Sequence, residues 1–171
     1  MKIMVASDIH GSIGWARRII EKYKETGADK LLLLGDLLYH GPRNDLPSDY
    51  APKEVIALLN ENKKDILAVR GNCDTEVDQM VLEFPIMAEY IYVTSGDTVI
   101  FATHGHHHSD TNPPVFLLEG AIFMTGHTHV ACDVNKDGFR YMNPGSPSIP
   151  KNGTAPSYIL IEDGEAELIA F

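Results

Sequence analysis

The stretch "KIMVASDIHGSIGWARRIIEKYKETGADKLLLLGD", residues 2–36, decides the fold. "KIMVAS" is a short unbroken apolar run, the pattern of a strand buried on both faces, and "KLLLLGD" repeats it at residues 30–36. Between them Trp15, Ile19, Ile20 and Tyr23 recur at helical spacing, with Ser12 suited to the N-cap and Gly27 to the C-cap. Strand, helix and strand in that order predict parallel strands joined by a right-handed crossover. Both strands run into polar side chains, Asp8 with His10 after the first and Asp36 after the second.

The alternation continues. "PKEVIALLNEN", residues 52–62, is a second helix with Pro52 tolerated near its start, and "DILAVRGNCD" is a third strand breaking at Gly71. The intervening "YHGPRNDLPSDYAP", residues 39–52, is rich in turn formers and long for a connection, which points to a loop shaping a site. Beyond residue 75 the pattern becomes strand after strand. "YIYVTSGDTVIFATHG" holds two strands around a Ser95-Gly96-Asp97 turn, "AIFMTGHTHV" another, and hairpins turn at Asp137-Gly138 and Asp163-Gly164. No linker or repeat divides the 171 residues, so one domain over 1–171 is expected, of class α/β, with two sheets packed together.

Composition narrows the function classes. The formal charge of −10 disfavours extended binding to nucleic acid or to anionic membranes, while leaving room for a small anionic substrate beside a local cation. Cys73 and Cys132 are too few for a disulfide framework and fit a reducing compartment. The first apolar run is too short for a signal-peptide core, and no apolar segment approaches a membrane span, so a cytoplasmic protein is expected.

The polar residues at the predicted strand ends carry the chemistry. In chain order they are Asp8 and His10 ("SDIHG"), Asp36 ("LGDLL"), Asn72 ("RGNCD"), His104 ("THGHH"), and His127 with His129 ("TGHTH"). Carboxyl ends of strands in an open α/β sheet border one crevice, so these seven side chains would converge. Imidazole mixed with carboxylate suits first-row transition ions, whereas magnesium and calcium favour oxygen alone. Two such ions held close together need a shared anion between them, and Asp36 is the candidate bridge.

The ordered set D-x-H, G-D, G-N-x-D, H-G-H and G-H-x-H resembles the calcineurin-like metallophosphoesterase superfamily. "HGPRN", "AVRGNCD" and "NPGSPSIPK" bring the likeness closer to its small phosphodiesterases of the YfcE type. The resemblance implies a four-layer α/β/β/α sandwich, two mixed β-sheets face to face with helices on both outer sides. It implies two divalent transition ions, manganese first, with nickel, iron, cobalt or zinc as alternatives. One would be held by Asp8, His10, Asp36 and His129, the other by Asp36, Asn72, His104 and His127.

The activity implied is phosphodiester hydrolysis by a hydroxide that the ion pair activates. The alternatives are a phosphomonoesterase or nucleotide pyrophosphatase on the same ions, or a protein-binding scaffold of the same fold. Where many members carry His after the metal-binding Asn, this chain has Cys73, a poorer acid for the leaving group. Diesters with good leaving groups are therefore expected to be preferred over alkyl monoesters. Asn72, Cys73, Asp74 and His106 are the candidate catalytic and supporting groups, with Asp74 expected to orient its neighbours, and Arg43 and His40 are candidates for contacting phosphate. The apolar C-terminal "ELIAF" reads either as a core strand or as a surface for homo-oligomer formation.

Overall fold

The computed structural model describes residues 1–171. One mixed sheet is built from β1 (Ile3–Ala6), β2 (Lys30–Leu33), β3 (Ile66–Ala68), β9 (Ser157–Glu162) and β10 (Glu165–Ala170), in the order β10-β9-β1-β2-β3. β1, β2 and β3 are parallel; β9 runs antiparallel to β1 and β10 to β9. The second mixed sheet contains β4 (Tyr90–Ser95), β5 (Thr98–Thr103), β6 (Ala121–Met124), β7 (Cys132–Lys136) and β8 (Phe139–Asn143), in the order β4-β5-β6-β8-β7. Its central strands β5, β6 and β8 are parallel and the outer pairs antiparallel.

Alternation along each strand explains the continuous apolar runs. Ile3, Val5, Leu32 and Leu34 meet Ile100, Ala102, Ile122, Met124 and Met142 from the second sheet, forming the core between the two. Their neighbours Met4, Ala6, Leu31 and Leu33 face the other way, onto α1 (Ile13–Thr26) and α2 (Pro52–Glu61) through Ala16, Ile19, Ile20, Val55 and Leu59. Both faces of these strands are dry, so no position needs a polar residue.

Local signals set the helices. The Ser12 hydroxyl accepts the Trp15 N–H, and Gly27 closes α1 at φ 64°, a left-handed conformation that suits glycine. Trp15 stands only half-buried, its ring 5.5 Å from that of Phe171, and Ala16 takes the core position instead. A further short helix, α3 (Glu76–Val81), begins at a capping box in which Thr75 and Asp78 satisfy each other's backbone N–H. "TEVD" encodes that box, but no apolar periodicity accompanies it, since α3 buries none of its residues.

The outer layers differ in kind. Both long helices lie against the first sheet, and α3 is tied to α2 where Asn60 Nδ2 donates to the Val81 carbonyl. On the far face of the second sheet the buried residues Phe101, Phe123 and Tyr141 are capped by the segment 105–120, through Leu117 and Phe116, a layer without helix where the resemblance implied helices on both outer sides. Pro113-Pro114 within that segment removes two N–H donors and restricts the backbone, so no helix can run continuously through it.

Candidate metal centre

The carboxyl ends of β1, β2, β3, β5 and β6 point to one end of the sandwich, and each leads into a turn that carries one of the polar side chains. Five of these residues have positive φ without being glycine: Asp8 at 54°, His10 at 50°, Asp36 at 54°, His127 at 64° and His129 at 59°. Each such turn costs about 1–2 kcal/mol for an L-residue. Strain concentrated in this way persists only where packing over-determines it, and here it swings the side chains inward.

Asp8 is fully buried and its two oxygens differ. Oδ2 accepts from the Ser7 hydroxyl at 2.6 Å and from the His127 N–H at 2.9 Å. Oδ1 has no hydrogen-bond partner, and stands 3.2 Å from His129 Nε2 and 3.5 Å from His10 Nε2. The Asp8 carbonyl accepts from the hydroxyls of Ser146 (2.7 Å) and Ser148 (3.0 Å), which hold the turn. Asp36 is similarly divided: Oδ1 takes the Cys73 N–H at 2.8 Å, while Oδ2 lies 3.7 Å from His10 Nε2 and 3.4 Å from His104 Nε2.

The imidazoles share one device. His10, His104 and His129 each direct Nδ1 at a backbone carbonyl, those of Tyr39 (2.7 Å), Leu34 (2.6 Å) and Ile149 (3.0 Å). Donation from Nδ1 leaves the Nε2 lone pair free and aimed at the carboxylates. His10 Nε2 and His129 Nε2 then face each other at 3.1 Å, beside an unpartnered carboxylate oxygen. Lone pairs so opposed repel unless a cation, a proton or a metal ion, stands among them. Three imidazole nitrogens and two carboxylate oxygens form a donor set suited to a first-row dication, so the residues fit the metal that the sequence implies.

His104 Nε2 also lies 3.1 Å from Asn72 Oδ1, and the His127 ring is centred 5.1 Å from that of His104. Asp36, Asn72 and His104 thus form a second group on the other side of Asp36 Oδ2, with His127 flanking it. Glycines make this closeness possible. A Cβ on Gly71 would fall 2.1 Å from Asp36 Oδ1, and one on Gly126 1.9 Å from Ser7 Oγ.

Asp74, 1% exposed, touches none of the facing nitrogens. Its oxygens accept the backbone N–H groups of Asp36 (2.8 Å), Leu37 (3.0 Å) and Gly71 (2.7 Å), so it positions the two turns that carry Asp36 and Asn72. Cys73 is buried beside the cleft; burial and then the neighbouring Asp36 push its thiol up to about 12, which keeps it protonated. His106 packs 5.5 Å from the His104 ring, and burial followed by the adjacent His104 lowers it to about 4, so it is neutral at pH 7.

The cleft over the donor set is lined by Asp36, Asn72, Cys73, His127 and His129, and on its outer side by Arg43, Asn44 and Lys151. Arg43 therefore reaches it, whereas His40 stands off the lining with its ring against those of Tyr39 and Tyr50. Lys151 is a site residue that sequence reasoning missed. Its signal was the end of "NPGSPSIPK", and its place is fixed by donation from its backbone N–H to the His129 carbonyl at 3.0 Å.

Without metal the cluster holds protons instead. Burial works against protonation of His104, but the hydrogen bond to Asp36 and the charge of Asp8 outweigh it and raise the imidazole from 6.5 to about 9. Burial raises both carboxylates, but the hydrogen bond and charge of His104 lower Asp36 on balance, and contacts with His10, then His104 and His129, hold Asp8 well below the ordinary carboxylate range. A raised histidine stabilises the fold fully below its unfolded value, and that contribution disappears as pH climbs through the folded value. Chelator-treated protein should accordingly lose stability between pH 6.5 and about 9 in denaturant titrations. Saturating metal, which needs the unprotonated nitrogen, should give a stabilisation that grows as pH rises over the same range.

Comparison with known proteins locates the chain among relatives. The model of the calcineurin-like phosphoesterase superfamily domain matches residues 1–165. Phosphodiesterase YfcE of Escherichia coli K12 is 45% identical over 170 residues, spanning 99% of this chain and 92% of the relative. The solved structure of the E. coli phosphoesterase Yfce superposes with a TM-score of 0.95, covering 99% of this chain and 93% of that one. Vps29 of Entamoeba histolytica, solved with zinc, has a TM-score of 0.61 at 18% identity over 99% of this chain and 97% of its own, a likeness of fold alone.

Proposed function

The chain belongs to the calcineurin-like phosphoesterase superfamily, and on that premise we propose that it is a metal-dependent phosphodiesterase working with a pair of divalent ions. The observation that carries this reading is the convergence of His10, His104 and His129, each with Nδ1 turned to a backbone carbonyl and Nε2 aimed inward, on the free oxygens of Asp8 and Asp36. Asp8, His10 and His129 would hold one ion, Asn72, His104 and His127 the other, and Asp36 Oδ2 would be shared. Manganese is our first choice of metal, with nickel, iron, cobalt or zinc as alternatives, since donors that mix imidazole with carboxylate and amide oxygen suit first-row dications. When bound, such ions withdraw charge from phosphate oxygens and lower the pKa of water from ~15.7 towards ~7.

The chain's own residues do the rest. Asp8 and Asp36 each keep one oxygen tied to backbone or hydroxyl donors, which fixes the direction of the other. Arg43 and Lys151 line the mouth and offset negative charge on an entering phosphodiester, reconciling an anionic substrate with a net charge of −10. Free Cys73 and Cys132 support a cytoplasmic setting, and none of the helices is long and apolar enough to cross a membrane. The partner is a small diester rather than a nucleic acid or membrane, the chain acts as one domain, and β10, which forms from "ELIAF" at the edge of the first sheet, is the candidate for self-association.

The test compares bis-p-nitrophenyl phosphate with alkyl phosphomonoesters, with added manganese and after chelation. Diester turnover should exceed that of the alkyl monoester by at least about tenfold and vanish with chelator, because Cys73 is ill-suited to protonate an alkoxide. Equal or faster hydrolysis of the monoester would favour the phosphomonoesterase reading.

A further inference from the structure

Beside the metal cleft runs an apolar groove of about 420 Å³ walled by Tyr39, Tyr50, Pro52, Ile56, Val77 and Val81. The two cavities share a single residue, Cys73, which lines both. Tyr39 links them a second way: its carbonyl accepts from His10 Nδ1 at 2.7 Å and the residue itself lines the groove. Val77 and Val81 of α3, which line this groove, remain 68% and 42% exposed. Exposed apolar side chains grouped around a depression that opens beside a reactive cleft are the usual form of a ligand pocket.

We propose that this groove receives the leaving group of the diester, and that the group is an aryl alcohol or one of similar shape and acidity. The inference rests on the phosphodiesterase reading and deepens it. Two independent features point the same way. The groove offers Tyr39 and Tyr50 as aromatic partners and Ile56, Val77 and Val81 as aliphatic ones, which suits a planar apolar group. The residue that a departing oxygen would pass on the way from phosphorus to the groove is the Cys73 thiol, held by Asn72 Nδ2 at 3.2 Å, and an imidazole is absent at that position. A thiol is a poorer proton donor to a departing alkoxide than an imidazolium, whereas a phenolate departs without one.

The balance of the step is simple. Oxygen of water forms the new bond to phosphorus, the bond from phosphorus to the aryl oxygen breaks with its electron pair remaining on the phenolate, and of the two protons of water one passes to solvent and the other stays on the product phosphomonoester. The retained arm and the charged oxygens stay on the side of Arg43 and Lys151.

The double variant Val77→Asn/Val81→Asn tests the assignment, since both side chains are exposed on a helix that buries none of its residues and the change adds no charge. With manganese-loaded protein, KM for methyl p-nitrophenyl phosphate should rise about tenfold, and inhibition by p-nitrophenol should weaken by a similar factor. Inhibition by inorganic phosphate should stay within twofold, because it reads the metal cleft. Methyl resonances of Ile56 should shift on adding p-nitrophenol to wild type and not to the variant. Wild-type turnover with KM and p-nitrophenol inhibition unchanged in the variant would overturn this inference alone. So would dissociation of a wild-type dimer in the variant at constant KM, which would assign the groove to a second copy. Absence of any diester turnover by loaded wild type would overturn the phosphodiesterase reading along with it.

Discussion

Asp36→Asn is expected to reduce kcat/KM for bis-p-nitrophenyl phosphate by at least about a thousandfold, equivalent to about 4 kcal/mol of transition-state stabilisation. Asp36 occupies the one position from which a single oxygen approaches both groups, 3.7 Å from His10 Nε2 and 3.4 Å from His104 Nε2. The amide can still accept the Cys73 N–H through its carbonyl oxygen, so the turn survives, but its NH2 group would face the imidazole nitrogens and carry no charge. Two like-charged ions would then lack the anion between them. Elemental analysis should find fewer ions per chain, with a fold still intact by circular dichroism. Activity within tenfold of wild type would remove Asp36 from the bridging role.

Gly126→Ala should have a comparable effect through packing. The added methyl would lie 1.9 Å from Ser7 Oγ and 2.5 Å from Asp8 Oδ2. Retreat is blocked, because the Gly126 N–H is held by the His104 carbonyl at 2.8 Å and its own carbonyl by Asn143 Nδ2 at 2.7 Å. Something in the Asp8 turn must shift, and overpacking of this kind costs about 1–3 kcal/mol. For a chain of this size the melting temperature should fall by about 3–10 °C. The larger consequence is for function: displacing Asp8 uncouples it from His10 and His129, and metal affinity should fall by about two orders of magnitude or more. Isothermal titration with manganese and a thermal melt measure both. A variant that binds metal like wild type would show that the turn is freer than its contacts imply.

Much of this was legible in the sequence because burial is. Strands dry on both faces must be continuous apolar runs, so β1 and β2 announced themselves, and a polar residue at the end of such a run stood out. The caps of α1 and the hairpin turns at Asp137-Gly138 and Asp163-Gly164 followed from residue types with specific backbone preferences. The left-handed turns at Asp8, His10, Asp36, His127 and His129 did not, since neither aspartate nor histidine requires positive φ. That strain is imposed by tertiary contacts such as those of Ser146 and Ser148 with the Asp8 carbonyl, which join residues nearly the whole chain apart.

The same limit explains the remaining differences. α3 contributes no buried face, so hydrophobic periodicity could not reveal it. The loop layer over Phe101, Phe123 and Tyr141 performs the work of a helix without the spacing of one. Lys151 reaches the cleft only because its own backbone pairs with His129, a contact between segments. His40 and Arg43 sit in one short motif and look equivalent, but the aromatic rings of Tyr39 and Tyr50 draw His40 away.

The proposed chemistry requires above all that two ions share Asp36. Wild-type protein stripped of metal and titrated with manganese under anaerobic conditions, with bound metal counted by elemental analysis after desalting, tests it directly. The prediction is two ions per chain, with electron paramagnetic resonance showing spin coupling between them. One ion per chain, or two without magnetic interaction, would contradict it.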